Sequence, residues 1–260
     1  MMPFVLTFSS GYPFCAQADS QEKTYCPKSD PMGPQVLPPS KSLDLWFRKF
    51  VNSEGISIVA SGIVCDRSLQ LASLIINHML SVRPDVRNKL IKTQHLVAIF
   101  GIGQKTTDVP GNTDLVGTPT EETCGGGGIG SRPTSICESN LISYQDKWKG
   151  MSVAVHEFGH TIMNLGLDEL EKKKIEKAFQ EAKNKHLFPK SDGVTPSFMM
   201  TNEMEYFAEG TGIWFAAADT NNPANSPKVK NREQLKDYDP DLYRVLSLIY
   251  PNDSWVVPQP

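Results

Sequence analysis

The run His156-Glu-Phe-Gly-His160 constrains this chain more than any other feature of it. On a helix, residues four apart share a face one turn above one another, so His156 and His160 would present two imidazoles to the same point, as a tetrahedral cation requires. The apolar spacing around the run, from Gly150 to Gly166, is itself helical. Glu157 follows the first imidazole by one residue, beside the ion rather than on it, where a carboxylate can take a proton from a water that the ion activates. With five histidines and fourteen glutamates in 260 residues, chance supplies the pattern about 0.005 times. The plain alternative is a pair of hydrogen-bonded core histidines, and a third ligand is what separates the two readings.

The third ligand does not follow directly. A metzincin continuation needs glycine three residues after the second histidine and another histidine three further on, whereas this chain has Met163 and Gly166. The best remaining source is Thr201-Asn-Glu-Met-Glu-Tyr-Phe-Ala-Glu209, a carboxylate-rich helix start before Ile213, Trp214 and Phe215. Glu205 and Glu209 are one turn apart and share a face, while Glu203 points about 200° away from Glu205 at about 100° per residue. Acids also favour helix N-termini, and Asn202 with Glu205 can form a capping pair. That plain reading suffices for Glu203; beside the histidine motif, Glu205 reads as a ligand.

The rest of the chain reads as one globular domain of α+β class. Apolar residues make up 39%, the formal charge is −3, and no run of apolar residues is long enough to span a membrane. The near balance of charges offers no field for nucleic acid. Residues 1–40 divide into a weak secretory signal, with Ala16-Gln-Ala18 as its cleavage site, and a proline-rich extended tether from Pro27 to Pro39. Residues 41–260 form the domain. Leu43, Trp46, Phe47, Phe50 and Val51 have helical spacing, and Ile56 to Ala60 reads as a strand. Asp66 to Val82 is a helix, Pro84 opens a shorter helical turn, and His95 to Phe100 is a second buried strand. Gly101 to Gly150 reads as a long surface excursion in which Cys124-Gly-Gly-Gly-Gly-Ile-Gly130 forms no regular element. That glycine run lacks the Lys-Ser/Thr of a phosphate loop. Helices follow over Gly150 to Gly166, Asp168 to Leu187, Asn202 to Asp219 and Pro240 to Ile249. His78, His95 and His186 read as core or surface residues.

Cys124 and Cys137 bracket the glycine run and could close it. Cys15 could pair with Cys26, leaving Cys65 over. Alternatively, cleavage after Ala18 leaves Cys26, Cys65, Cys124 and Cys137 as an even set with three pairings. The even set favours secretion, as does the sequon Asn252-Asp-Ser254.

His156-Glu-Phe-Gly-His160 and Thr201 to Glu209, forty-five residues separating His160 from Glu205, resemble the catalytic domain of the anthrax lethal-factor type of zinc metallopeptidase. That group is the gluzincins, with HExxH and a downstream glutamate. From Trp46 to Trp255 the chain looks like a secreted, mostly uncharacterised lethal-factor-related family. The resemblance implies a zincin-like fold, a small twisted sheet packed on helices with HExxH on an active-site helix. It implies Zn2+ held by His156, His160 and Glu205, Glu157 as general base, and Glu209 as an acid behind the ligands; a peptide or protein substrate would then lie along an edge strand, bound by backbone hydrogen bonds. In one respect the chain departs from the family. A tyrosine seven residues before the glutamate ligand, thought to support the oxyanion, is here Phe198, and losing one such donor typically costs about 10²–10³ in turnover. Tyr144 and Tyr238 are the substitutes to examine; Tyr206, one residue after the ligand, should point off the metal face. The expected activity is that of a zinc-dependent endopeptidase. Its rivals are a zinc-binding, catalytically weakened interaction module and a hydrolase acting on something other than peptide.

Overall fold

A computed structural model describes residues 26–142, 150–219 and 222–258. Glu54 and Gly55 both take positive φ, 50° and 94°, which makes the two-residue turn whose twist suits an antiparallel ribbon. It joins β1 (Lys49–Ser53) to β2 (Ile56–Ala60), in register from Lys49 opposite Ala60 to Ser53 opposite Ile56. The helix expected across Leu43 to Val51 is therefore absent. Hairpin pairing outweighs the helical spacing of its apolar residues, and consecutive ones go to opposite faces: Phe50 packs with Phe47, Val59 and Phe100, Val51 with the main core.

The other early expectations appear close to where the sequence puts them. α1 (Asp66–Met79) buries Leu69, Ala72, Ile75, Ile76 and Met79, α2 (Pro84–Lys92) carries Pro84 at its first turn, and β3 (Leu96–Phe100) lies parallel to β2. The excursion after Gly101 is different. It contains β4 (Gly125–Gly126) and β5 (Thr134–Cys137), and the sheet order is β1-β2-β3-β5-β4. β5 runs parallel to β3 with all four residues buried, and the glycine strand pairs antiparallel to it. A segment as short and polar as Thr-Ser-Ile-Cys shows no alternation, because a strand covered on both faces needs none. Its Ser135 hydroxyl is satisfied by Asn112 at 2.7 Å.

Helices complete the chain. α3 (Glu138–Leu141) and α4 (Val153–Thr161) are followed by a π-helical turn, Ile162–Gly166, closed by the Leu167 amide on the Ile162 carbonyl at 2.9 Å. α5 (Glu169–Asn184) starts on a reciprocal Asp168–Glu171 capping box. α6 (Glu203–Trp214), α7 (Arg232–Tyr238) and α8 (Pro240–Ser247) follow. The sequence reading did not anticipate α7. The main core lies where α1, α4 and α6 meet one face of the sheet, with Ile58, Ile99, Ile136, Phe158 and Phe207 all at its centre. The fold is thus α+β, a small mixed sheet packed on helices, with the His-Glu-x-x-His run on one of them.

Two disulfides are present among the described residues. Cys26–Cys65 ties the segment before the sheet to the start of α1, and Cys124–Cys137 ties β4 to β5, with Cα separations of 5.6 and 4.9 Å. Cys15 and the signal-like segment lie outside the described residues. Leu37 bridges to Phe50, and the Gln70 side chain binds backbone groups of Asp30 and Pro34. Among the described residues no helix is long and apolar enough to cross a membrane.

Candidate metal centre

α4 is anchored at its start from two directions. Ser152 caps it, and the Asn140 side chain of α3 accepts the Val153 amide at 2.7 Å while donating to the Met151 carbonyl at 2.8 Å. Its middle approaches α6 closely because Gly159 has no side chain: a Cβ there would stand 3.3 Å from Thr211 Oγ1 and 3.5 Å from the Ala208 backbone. Asn202 caps α6 by accepting the Glu205 amide at 2.8 Å. The Asn202 half of the expected capping pair is therefore present, and the Glu205 carboxylate turns toward α4.

Three atoms then converge. His156 Nε2 lies 3.1 Å from His160 Nε2, and Glu205 Oε2 lies 3.3 Å from the first and 3.4 Å from the second. A tetrahedral ion with bonds of about 2.0–2.1 Å separates its donor atoms by about 3.3–3.4 Å, so this triangle has the dimensions of one tetrahedral face. Glu205 Oε2 is buried without a hydrogen-bond partner although two imidazole nitrogens face it, a geometry suited to a shared cation. His156, Glu157 and His160 each offer a ligand atom within 4.8 Å of the others. The tighter triangle through Glu205 fits a single ion better and leaves Glu157 free beside it. Behind it, Glu209 Oε1 lies 3.5 Å from His156 Nδ1.

The electrostatics favour positive charge here. Burial opposes charging His156, but the adjacent Glu205 carboxylate and the charges of Glu157 and Glu209 outweigh it and hold its pKa up. Burial likewise opposes ionising Glu205, and the two histidines overcome it and hold Glu205 down. For Glu157 and Glu209 burial wins, pushing both carboxyls up against the pull of the imidazoles.

The opposite wall is the glycine segment. A Cβ on Gly125 would sit 2.7 Å from Glu157 Cγ, one on Gly127 2.3 Å from His160 Cβ, and one on Gly128 2.3 Å from His95 Cε1. Close approach, not turn conformation, requires glycine at these positions. Sequence reasoning missed this wall, together with Thr161 and Asn164, whose side chains hold Gly128 at 2.8 and 3.0 Å. The only available signal was the glycine run itself.

The remaining candidates are dispersed. Phe198 is half-exposed in the turn before α6. Tyr206 points off the metal face, as expected, and donates to Asp239 at 2.5 Å. Tyr238 accepts the Phe188 amide at 3.0 Å, and Tyr144 lies outside the described residues. Glu203 lies at the first turn of α6, in the bland position expected of it. His78 stacks on Trp255, His95 is buried against Thr134, and His186 follows the end of α5.

No protein-family model matches the chain, and no curated protein sequence does. Among solved structures it is similar to a PRO-PRO endopeptidase from Paenibacillus alvei, with a TM-score of 0.43 and 18% identity, over 76% of this chain and 98% of that one.

Proposed function

We propose that the protein is a secreted zinc-dependent endopeptidase. The observation that carries this reading is the triangle of His156 Nε2, His160 Nε2 and Glu205 Oε2, of tetrahedral-face size, with the Glu157 carboxylate beside it. Two imidazoles and one carboxylate suit zinc and leave a fourth position open. When bound there, zinc supplies a Lewis acid and lowers the pKa of water toward about 7. Glu157, raised by burial, accepts the proton of the attacking water and returns it to the leaving amine. Glu209 steadies the His156 ring from behind through Nδ1, fixing which nitrogen faces the ion. An extended peptide docks along β4, the strand at the edge of the sheet nearest α4. The two disulfides suit an oxidising compartment. Glu157→Gln tests the base: the variant keeps its zinc and loses about 10²–10⁴-fold in peptide turnover. Full turnover by that variant overturns the assignment.

A second reading, a zinc-binding module with weakened catalysis, is favoured by Phe198. Its ring offers no donor, the Tyr206 hydroxyl already donates to Asp239, and the Tyr238 hydroxyl is held at the Phe188 amide. Phe198→Tyr separates the readings on a peptide that the wild type cleaves slowly. A gain of about 10²–10³-fold supports the weakened module, and an unchanged rate supports the competent peptidase.

A further inference from the structure

Three buried side chains behind the metal centre, His95, Thr134 and Thr161, have no part in the chemistry above. His95 Nε2 lies 2.8 Å from Thr134 Oγ1, which lies 2.6 Å from Thr161 Oγ1, which lies 3.0 Å from the Glu157 carbonyl oxygen. Thr161 Oγ1 also meets the Gly128 amide at 2.8 Å. Donor counting fixes every direction in this chain. A carbonyl only accepts, so the one hydroxyl hydrogen of Thr161 goes to Glu157. An amide only donates, so Thr161 accepts from Gly128. Thr161 has no hydrogen left for Thr134, so Thr134 donates to it, and His95 must in turn donate to Thr134 through an Nε2–H. The chain thus runs one way, from a histidine before β3, through β5, to the backbone of the helical turn between Glu157 and Thr161.

The same chain grips the glycine segment. Thr161 takes the Gly128 amide and the Asn164 side chain takes the Gly128 carbonyl at 3.0 Å, so both backbone groups of one residue are held from the helix carrying His160. Thr134 and Thr161 are fully buried, and water has little access to replace these bonds.

We infer that Thr161 and His95 are positioning residues for the metal centre: the chain His95–Thr134–Thr161 clamps the Gly125–Gly128 ledge against Glu157 and His160 and fixes how both are presented to a substrate. This rests on the peptidase reading for its kinetic consequence, though not for its structural one. The variants are Thr161→Val, which keeps shape without the hydroxyl, and Thr161→Ser, which restores the hydroxyl. Thr134→Val breaks the middle of the chain and replaces Thr161→Val in every comparison if that protein does not fold. Zinc content, kcat and KM on a peptide cleaved by the wild type, Gly128 amide exchange and the His95 nitrogen signals are measured on zinc-loaded protein. Thr161→Val should keep its zinc, lose about 10²-fold in kcat with KM within about twofold, and exchange the Gly128 amide about tenfold faster, while Thr161→Ser recovers most of each. The wild-type His95 signals should be those of the Nε2–H form. Wild-type kcat and Gly128 exchange in Thr161→Val, or an Nδ1–H form of His95, overturns the inference. A wild type that holds zinc and cleaves no peptide defeats the peptidase reading alone, and Gly128 exchange and the His95 form still decide the clamp.

Discussion

The two walls of the candidate metal centre are built on opposite principles. On the α4–α6 side, side chains do the work: His156, Glu157 and His160 recur within one helical turn, and Glu205 and Glu209 within another. On the glycine side nothing reactive is present. That wall contributes a backbone brought close because three Cβ atoms are missing, and then pinned by Thr161, Asn164 and the Cys124–Cys137 bridge. Donors can be placed by local helical geometry, but the depth and shape of the space above them depend on a partner strand that approaches from another part of the chain.

The sharpest way to break this contrast is to add one methyl group to the ledge. A Cβ on Gly127 would lie 2.3 Å from His160 Cβ, whereas one on Gly126 would meet nothing nearer than 3.9 Å. Gly127→Ala should therefore lose about 10²-fold in peptide turnover and hold zinc less tightly, and Gly126→Ala should behave as wild type. Equal rates for the two variants in the same assay would reduce the ledge to an ordinary loop.

Cutting the bridge loosens the ledge from the other side. Cys124→Ser with Cys137→Ser frees a loop closed over a separation of 13 residues and should cost about 3 kcal/mol in denaturant unfolding. An unchanged midpoint and slope would mean that β5 and α4 hold the ledge without it.

Acid should act through His95, which burial holds down at about 4 against an ordinary value of 6.5. The unfolded chain then binds the proton first as pH falls. Stability is full above about pH 6.5, drops by about 2 kcal/mol by pH 5, and falls further toward pH 4. Unfolding curves across this range should show that slope in the wild type and lack it in His95→Gln; parallel curves would place the acid sensitivity elsewhere.

What the sequence discloses follows the same division. The spacing of His156, Glu157 and His160, and of Glu205 with Glu209, obeys a rule that needs no partner, and these five residues converge. Thr134 and Thr161 obey none: their bonds reach His95 across 39 residues and each other across 27. β5 escaped notice for a related reason, since its identity as a strand comes from β3 alongside it. The apolar stripe from Leu43 to Val51 failed in the opposite sense, a sound local pattern overruled by the Glu54-Gly55 turn that pairs β1 with β2.

The π-helical turn after α4 sets a counted length. Ile162–Gly166 holds one residue more than an α-helical turn would use, and each residue rotates a helix by about 100°. With that surplus in place, Asn164 reaches the Gly128 carbonyl and Leu167 enters the core. A deletion of a single codon here would leave His156, Glu157, His160, Glu205 and Glu209 in the gene and still swing the next segment off the ledge, so the length of this stretch is constrained as well as its residues.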